Sequence, residues 1–324
     1  EGTKEARITF VNENQSWNGL DLASNQISSF KYCEFKGFNE QSGIFSYTSK
    51  NFSVKNSLFT KGYAYSLVRS TTYRNISFSY CNFYNNKVVE FSSIFQNIRN
   101  SNFINNIPRY FSKYNGFVFS RPKYDNFTKN NVFNNTISFS SQFSGTSSPI
   151  TSYLGSSKKE LIRKEVQDAL NSSENTGLFD IDSVLTKPSE KAHGIVWKVL
   201  VNGKDAQDEF ELMDPVGVGT HKFQVYFNRE MDTLVNPQVS YGVREPYNQK
   251  IISEEGSWSA DGKIYTVNHE VKIGAADGIN RIRVQDAQDL DYFKIPVEDS
   301  RFNMLVQSAG SASTGFFATP ELGK

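Results

Sequence analysis

A phenylalanine that returns about every two dozen residues dominates the first part of this sequence. The segments SSFKYCEFKG (28–37), SVKNSLFTKG (53–62), SFSYCNFYNN (77–86), IRNSNFINN (98–106) and TKNNVFNN (128–135) share one pattern. A small residue stands two places before a Phe, and Gly or Asn follows shortly after it. The anchors are Phe35, Phe59, Phe83, Phe103 and Phe133, at spacings of 24, 24, 20 and 30. The matching small positions are Cys33, Ser57, Cys81, Ser101 and Asn131. Phe30, Val54, Phe78 and Ile98 lie five places before the first four anchors. Short alternating apolar stretches bounded by Asn and Gly predict strands. A repeat of this length predicts a stacked array, because one unit cannot bury its own apolar face. The strands follow one another without an intervening helix, so the expectation is a β-solenoid. Gly and Asn suit the left-handed backbone of its corners. Ankyrin and leucine-rich repeats do not fit, since neither a TPLH signature nor a leucine ladder occurs.

Residues 7–145, with the opening phrase SWNGLDL (16–22) and the repeated x-Phe-x-x-Asn corners, resemble the right-handed parallel β-helix family of secreted bacterial proteins. The resemblance implies the fold. For activity it leaves open pectate-lyase-like and polygalacturonase-like enzymes, adhesins, viral tailspikes and inert scaffolds.

Charge and composition divide the chain. Residues 1–150 hold 16 Lys and Arg against 8 Asp and Glu, whereas 151–324 hold 19 against 26. The first part also holds 19 of the 27 Phe and none of the three His. A joint shift of this kind marks a domain boundary. The basic part suits an anionic partner. Residues 140–157 are rich in Ser, Thr and Gly and read as the end of the solenoid and a linker. In KKELIRKEVQDALN (158–171) the apolar residues fall at helical intervals, which predicts a short amphipathic helix in a connector spanning 151–192.

From His193 the pattern becomes short alternating strands. GIVWKVLVNG (194–203), HKFQVYFN (221–228), KIYTVNHEVKI (263–273) and INRIRVQDA (279–287) are separated by turn signals at Asn202-Gly203, Asp261-Gly262 and Asp277-Gly278. The spacing predicts a β-sandwich over 193–308. The phrase HKFQVYFNREMDTLVNPQVSYG (221–242), with V-x-F-x-x-x-M-D, and the later Trp258, Asp261, Gly262 and Tyr265 resemble bacterial Ig-like domains over about 195–308. That resemblance implies a spacer or stalk on an exported protein. Segment 203–220 is extra to the pattern. Residues 309–324 read as a linker or the start of a further module. The expected fold is therefore all-β: a right-handed parallel β-helix and an Ig-like β-sandwich, joined by a connector with one short helix.

The chemistry is less legible. A polygalacturonase-like hydrolase needs paired carboxylates, yet residues 7–150 hold only two Asp, Asp21 and Asp125, and no His. A calcium-dependent lyase needs several carboxylates around its ion. A metal-free lyase using Lys, Arg or Tyr as base stays open. Binding has better candidates. TKGYAYSLVRS (60–70) carries Lys61, Tyr63, Tyr65 and Arg69; Trp17 lies near the start, and Lys36, Lys61 and Lys87 each follow an anchor. Aromatic faces beside cations suit sugars that bear carboxylates. These seven residues are the expected glycan-binding set, with an acidic polysaccharide or surface glycan as partner and no nucleic acid.

No cofactor or metal is expected. His193, His221 and His269 are dispersed, and Asp286, Asp289 and Asp291 read as a solvated loop in preference to a weak calcium site. Cys33 and Cys81 occupy equivalent positions two coils apart, ~10 Å at the strand spacing, too far for a disulfide. Two free buried thiols are expected. Six N-x-S/T sequons occur, at Asn14, Asn51, Asn75, Asn126, Asn134 and Asn171. No apolar run reaches the ~20 residues of a membrane-spanning helix. The reading is a non-catalytic secreted or cell-surface module, a scaffold or glycan binder. An acidic-polysaccharide lyase and a self-assembling fibre or surface-layer subunit are the alternatives.

Overall fold

The computed structural model describes residues 1–11, 20–22, 28–40, 45–47, 51–66, 68–70, 75–91, 95–104, 106, 117–119, 127–128, 130–133, 136–138, 149–151, 188–206 and 214–309. Among these residues all regular structure is β, with both parallel and antiparallel sheets. The predicted helix 158–171, the rest of the connector up to residue 187 and the tail from 310 lie outside them. The chain divides into two compact units. One comprises Glu1–Leu154, Lys158–Ile195 and Asp291–Phe293, and the other Gly155–Ser157, Val196–Leu290 and Lys294–Lys324.

Four sheets build the first unit, with strands numbered in chain order. One runs β1 (Ile8–Val11), β4 (Cys33–Lys36), β8 (Leu58–Thr60), β12 (Asn82–Tyr84), β15 (Asn102–Ile104) and β18 (Asn131–Phe133). The second runs β3 (Ser28–Lys31), β7 (Asn51–Lys55), β11 (Asn75–Ser79), β14 (Phe95–Arg99) and β17 (Phe127–Thr128). The third contains β5 (Asn39–Glu40), β9 (Tyr63–Ser66), β13 (Lys87–Phe91), β16 (Phe117–Phe119) and β19 (Thr136–Ser138). The fourth contains β2 (Leu20–Leu22), β6 (Phe45–Tyr47) and β10 (Val68–Ser70). These pairings are parallel. The exception is β20 (Pro149–Thr151), which closes the third sheet antiparallel to β19.

Register explains the repeat. Phe10, Phe35, Phe59, Phe83 and Phe103 are successive partners in the first sheet. Their rings stack at 4.9, 4.7, 4.8 and 4.7 Å between centroids, within 12° of parallel. Phe30 and Phe78 meet this stack edge-on. Phe30, Val54, Phe78 and Ile98 form the facing column, as their common offset predicts. Aromatic pairs of either geometry add about 0.5–1.5 kcal/mol each beyond burial. Two features of the expected repeat are corrected. The stack begins one rung earlier, at Phe10, and its last partner is Val132, because Asn102 pairs with Asn131 and Ile104 with Phe133. The small position of that rung is accordingly Asn130. A one-residue offset turns a strand's side chains over, and an amide ladder sets this one: Asn131 Nδ2 donates to Asn102 Oδ1 at 2.8 Å, and Asn102 Nδ2 to Asn82 Oδ1 at 2.7 Å. That ladder stops where Leu58 occupies the next rung, and Asn82 Nδ2 is buried without a partner.

The small column bridges a break in the backbone ladder. Tyr32, Asn56, Tyr80 and Asn100 have φ of 53°, 51°, 55° and 52°, so each strand turns through a left-handed residue just before it. The next rung's side chain takes the stranded amide. Cys33 N–H donates to Ser57 Oγ, Cys81 N–H to Ser101 Oγ and Ser101 N–H to Asn130 Oδ1. Tyr is an unexpected left-handed residue there, and Lys61 is another at the following corner, in the place Gly37 and Asn85 take in neighbouring rungs. Cys33 and Cys81 are free and buried, as expected. Burial pushes the Cys81 thiol up to about 12, despite hydrogen bonds with the Ser57 and Ser79 backbone, and pushes Cys33 up as well.

The second unit has two antiparallel sheets. One is ordered β22 (Lys204–Asp205), β21 (Val196–Val201), β23 (Gly219–Phe227), β27 (Ile264–Val271) and β26 (Ser257–Trp258). The other is ordered β25 (Lys250–Ile251), β24 (Gln238–Gly242), β28 (Gly278–Gln285) and β29 (Asn303–Val306). Inward residues of both, among them Val199, Phe223, Val225, Tyr241, Ile282 and Met304, form one core. The four predicted strands correspond to β21, β23, β27 and β28. Asn202 and Gly203, with φ of 52° and 82°, make the hairpin turn that their sequence predicts. The extra segment supplies β22 and the bridge from Val216 to Val306; residues 207–213 lie outside the described set.

Candidate functional site

The seven expected glycan-binding residues do not assemble into one column. Trp17 lies outside the described residues. Lys36 ends β4 opposite Thr60, and Lys61 follows Thr60 at the left-handed corner; both are exposed. Tyr63 of β9 is the register partner of Lys87 of β13 and of Asn39 of β5. Tyr65 is two residues further along β9. Arg69 is on β10, in a different sheet, opposite Ser46. The three lysines are 25 and 26 residues apart, whereas the rungs there repeat every 24. Each therefore falls one or two places further along its rung, in three different columns.

A different basic column is regular. Lys31, Lys55, Ser79 and Arg99 are successive register partners, each the last residue of its strand before a left-handed corner. Lys55 and Arg99 are exposed and Lys31 is half-buried. The Lys31 ammonium lies 5.3 Å from the Tyr32 ring centroid, and the Lys55 ammonium 5.5 Å from that of Tyr80. No carboxylate among the described residues forms an ion pair with any of the three cations. Two places earlier on the same strands stand Ser29, Ser53, Ser77 and Asn97. The spacings of 24 and 44 were visible in the sequence. Only the register identifies them as one and two rungs.

Each of the three dispersed histidines has a hydrogen-bond partner. His193 is buried in the first unit, with Nε2 3.2 Å from Asn56 Oδ1 and its ring stacked on Phe293 at 4.0 Å. On Phe293, Arg7 also sits, 3.6 Å from the ring centroid. His221 and His269, 48 residues apart, are cross-strand partners on β23 and β27. His221 Nε2 donates to the Gly217 carbonyl, and Asn202 donates to its Nδ1, both at 2.8 Å. Asp289 corrects the expectation of a solvated acidic loop: it is fully buried and pairs with Arg229 at 3.6 Å.

Among the described residues of the second unit, His269 joins a relay that has the form of acid–base machinery. The Tyr241 hydroxyl, on the opposite sheet, lies 3.1 Å from Nε2, and the Glu254 carboxylate lies 2.9 Å from Nδ1. Burial raises the Tyr241 phenol to about 12, helped by the charge on Glu254. Partial burial acts to raise the Glu254 carboxyl, but the Glu270 amide and the His269 ring bonded to it prevail and hold it at about 2. A carboxylate that fixes an imidazole, with a hydroxyl beyond, is the arrangement that activates a nucleophile. Here Tyr241 is 1% exposed and lies between the sheets. The relay is a polar tie across the core.

The residues that carry the resemblance to Ig-like domains make contacts within their turns and core. Trp258 and Tyr265 are cross-strand partners with rings 5.3 Å apart, and Asp261 Oδ1 accepts from Ser259 and from the Lys263 amide within the connecting turn. Met231 is buried, and the Asp232 carboxylate caps the Leu234 amide at 3.0 Å. No helix among the described residues is long and apolar enough to cross a membrane. No family model, no curated protein and no solved structure matches this chain.

Proposed function

We propose that this chain is a non-catalytic module of a secreted or cell-surface protein, a rigid scaffold that binds glycan on its repeated surface. In this reading residues 1–150 are a right-handed parallel β-helix and residues 193–308 an Ig-like β-sandwich acting as a spacer. The carrying observation is the conversion of sequence repeat into columns: Phe on Phe, Asn on Asn and cation beside cation at one strand spacing, ~4.8 Å. Such columns suit a ligand that is itself a regular polymer. A glycan array that includes acidic polysaccharides tests the reading, with binding expected and salt weakening it. An array without hits counts against it.

Two other readings each have an observation behind them. The pairing of Tyr63 with Lys87 sets a phenol-bearing and an amine-bearing residue at adjacent register positions, which is the residue chemistry a metal-free polysaccharide lyase needs. Unsaturated product formed from an array hit, detected by its ultraviolet absorbance, would establish that reading over ours. The strand β1 ends its sheet, with Ile8 and Val11 exposed, and a free strand edge can template assembly. Particles that grow with concentration in light scattering would favour a fibre or layer subunit.

A further inference from the structure

We infer that the outer face of the sheet β3–β7–β11–β14 is a binding site for a linear anionic polysaccharide lying across the strands. The inference rests on the glycan-binding reading and assigns it a site, one that differs from the residues the sequence singles out.

The cations are Lys31, Lys55 and Arg99, in consecutive register with Ser79 between the last two. At ~4.8 Å per strand they span about 14 Å, with intervals of one and two strands. Cations in adjacent register positions repel each other, and no carboxylate among the described residues pairs with these three. Their outward positions are not needed for the fold, whose interior is completed by Phe30, Val54, Phe78 and Ile98 on the intervening positions. An external polyanion relieves the repulsion.

The neighbouring column decides the class of polyanion. Ser29, Ser53 and Ser77 stand beside the cations, so the face alternates charge with hydroxyl. Glu1 accepts from the Ser29 hydroxyl at 2.9 Å, which places a carboxylate at that end and centres the site on the rungs of Lys55, Ser79 and Arg99. Hydroxyls within reach of both ring hydroxyls and carboxylates or sulfates fit a charged sugar chain. A single-stranded nucleic acid requires aromatic platforms for its bases, yet the Tyr32 and Tyr80 rings each carry a lysine, and Tyr80 also meets His193 edge-on. A membrane surface is met by apolar insertion beside basic residues, and this face presents serine there.

The test uses the full chain with polygalacturonate and dextran sulfate as probes, neutral dextran as control, and the variants Lys55→Ser/Arg99→Ser and Lys36→Ser/Lys61→Ser. Melting curves establish that both variants fold. The expected result is binding to the two anionic glycans and not to dextran, weakened about 5–30-fold by Lys55→Ser/Arg99→Ser, as two exposed charge contacts would give, and within about twofold of the parent for Lys36→Ser/Lys61→Ser. Loss in Lys36→Ser/Lys61→Ser alone would overturn this site and leave the glycan-binding reading standing. Absence of binding to either polymer would overturn both. Tighter binding to an oligonucleotide or to phosphatidylserine vesicles, lost in Lys55→Ser/Arg99→Ser, would overturn the ligand class.

Discussion

In the parallel unit several buried asparagines bond to their own kind in the next rung; among the described residues of the antiparallel unit a fully buried ion pair is found once. Asn82, Asn102 and Asn131 bond to one another along a single column. Asn86 and Asn106 do the same at the next corner, each amide also donating to a Phe carbonyl of the rung before. Arg301 and Glu298, by contrast, form a single ion pair, both side chains essentially inaccessible. Arg301 Nε donates to Glu298 Oε2 at 2.8 Å and its Nη2 to the Val196 carbonyl, while Glu298 Oε1 accepts the Ser300 and Arg301 amides. The lesson concerns where stability resides. A stack distributes it over nearest neighbours, whereas two facing sheets concentrate it in single pairs.

The strongest test of that contrast is in the phenylalanine stack. Phe83 lies between Phe59 and Phe103, whereas Phe10 is on β1, the strand that ends the sheet. Phe83→Ala is expected to cost about 4–5 kcal/mol, and Phe10→Ala about half as much, in urea denaturation. Equal losses would show that the stack is not held by neighbours on both sides. Next in size, Glu298→Ala leaves a buried guanidinium uncompensated and is expected to cost about 3–4 kcal/mol. Replacing both partners, as Glu298→Leu/Arg301→Met, should recover most of that loss. Failure to recover would mean that the bond to Val196 matters more than the pair.

Asn102→Ala removes the middle of the amide ladder and a bond to the His193 carbonyl, takes the donor from Asn82 Oδ1, and leaves the Asn131 amide with its bond to the Ser189 carbonyl. The expected loss is about 2–3 kcal/mol; Asn102→Asp, which keeps the shape and removes the donor, should lose a similar amount. Lys61→Gly works in the opposite direction. It relieves a left-handed residue at a cost in chain entropy, for a net gain of about 0.5–1 kcal/mol. A lower Tm in that variant would mean that the lysine makes contacts its exposure does not suggest.

The smallest effect is pH dependence. Glu254 titrates near 2 in the folded chain, below its ordinary value of 4.5. The unfolded chain thus binds the proton more readily, so the stabilisation is complete above about pH 4.5 and fades as pH falls toward 2. Tyr241 has the opposite sign: its folded value is raised from 10 to about 12, so its contribution is intact below pH 10 and fades above it. Urea midpoints measured from pH 2 to 6 should slope less in Glu254→Gln than in the parent. An unchanged slope would remove Glu254 from the acid response.

Much of the strand pattern was legible because the repeat is carried by side chains of one kind. Phe35, Phe59, Phe83 and Phe103 announce a column through spacing alone, and the two cysteines follow as equivalent positions. Asn202-Gly203 and the Trp258 to Tyr265 segment fix their hairpins by local backbone preference. The site was less legible. Lys36, Lys61 and Lys87 look periodic to within a residue or two, but a strand ladder has no tolerance of that kind, and they fall in three columns. Lys31, Lys55 and Arg99 differ from the pattern by an intervening serine and a shorter rung, so spacing alone hides them.

The sequence by itself determined that the chain is all-β where described, where its apolar positions face and that its thiols stay unpaired, since these depend on residue type and local spacing. Tertiary structure decided the rest. Register moved the last anchor from Phe133 to Val132, because the amides of Asn102 and Asn131 bond only when aligned. Pairing across the two antiparallel sheets brought a buried Tyr241 to His269, and folding buried Asp289 beside Arg229. Such outcomes depend on distances between residues far apart in the chain, which no local preference encodes.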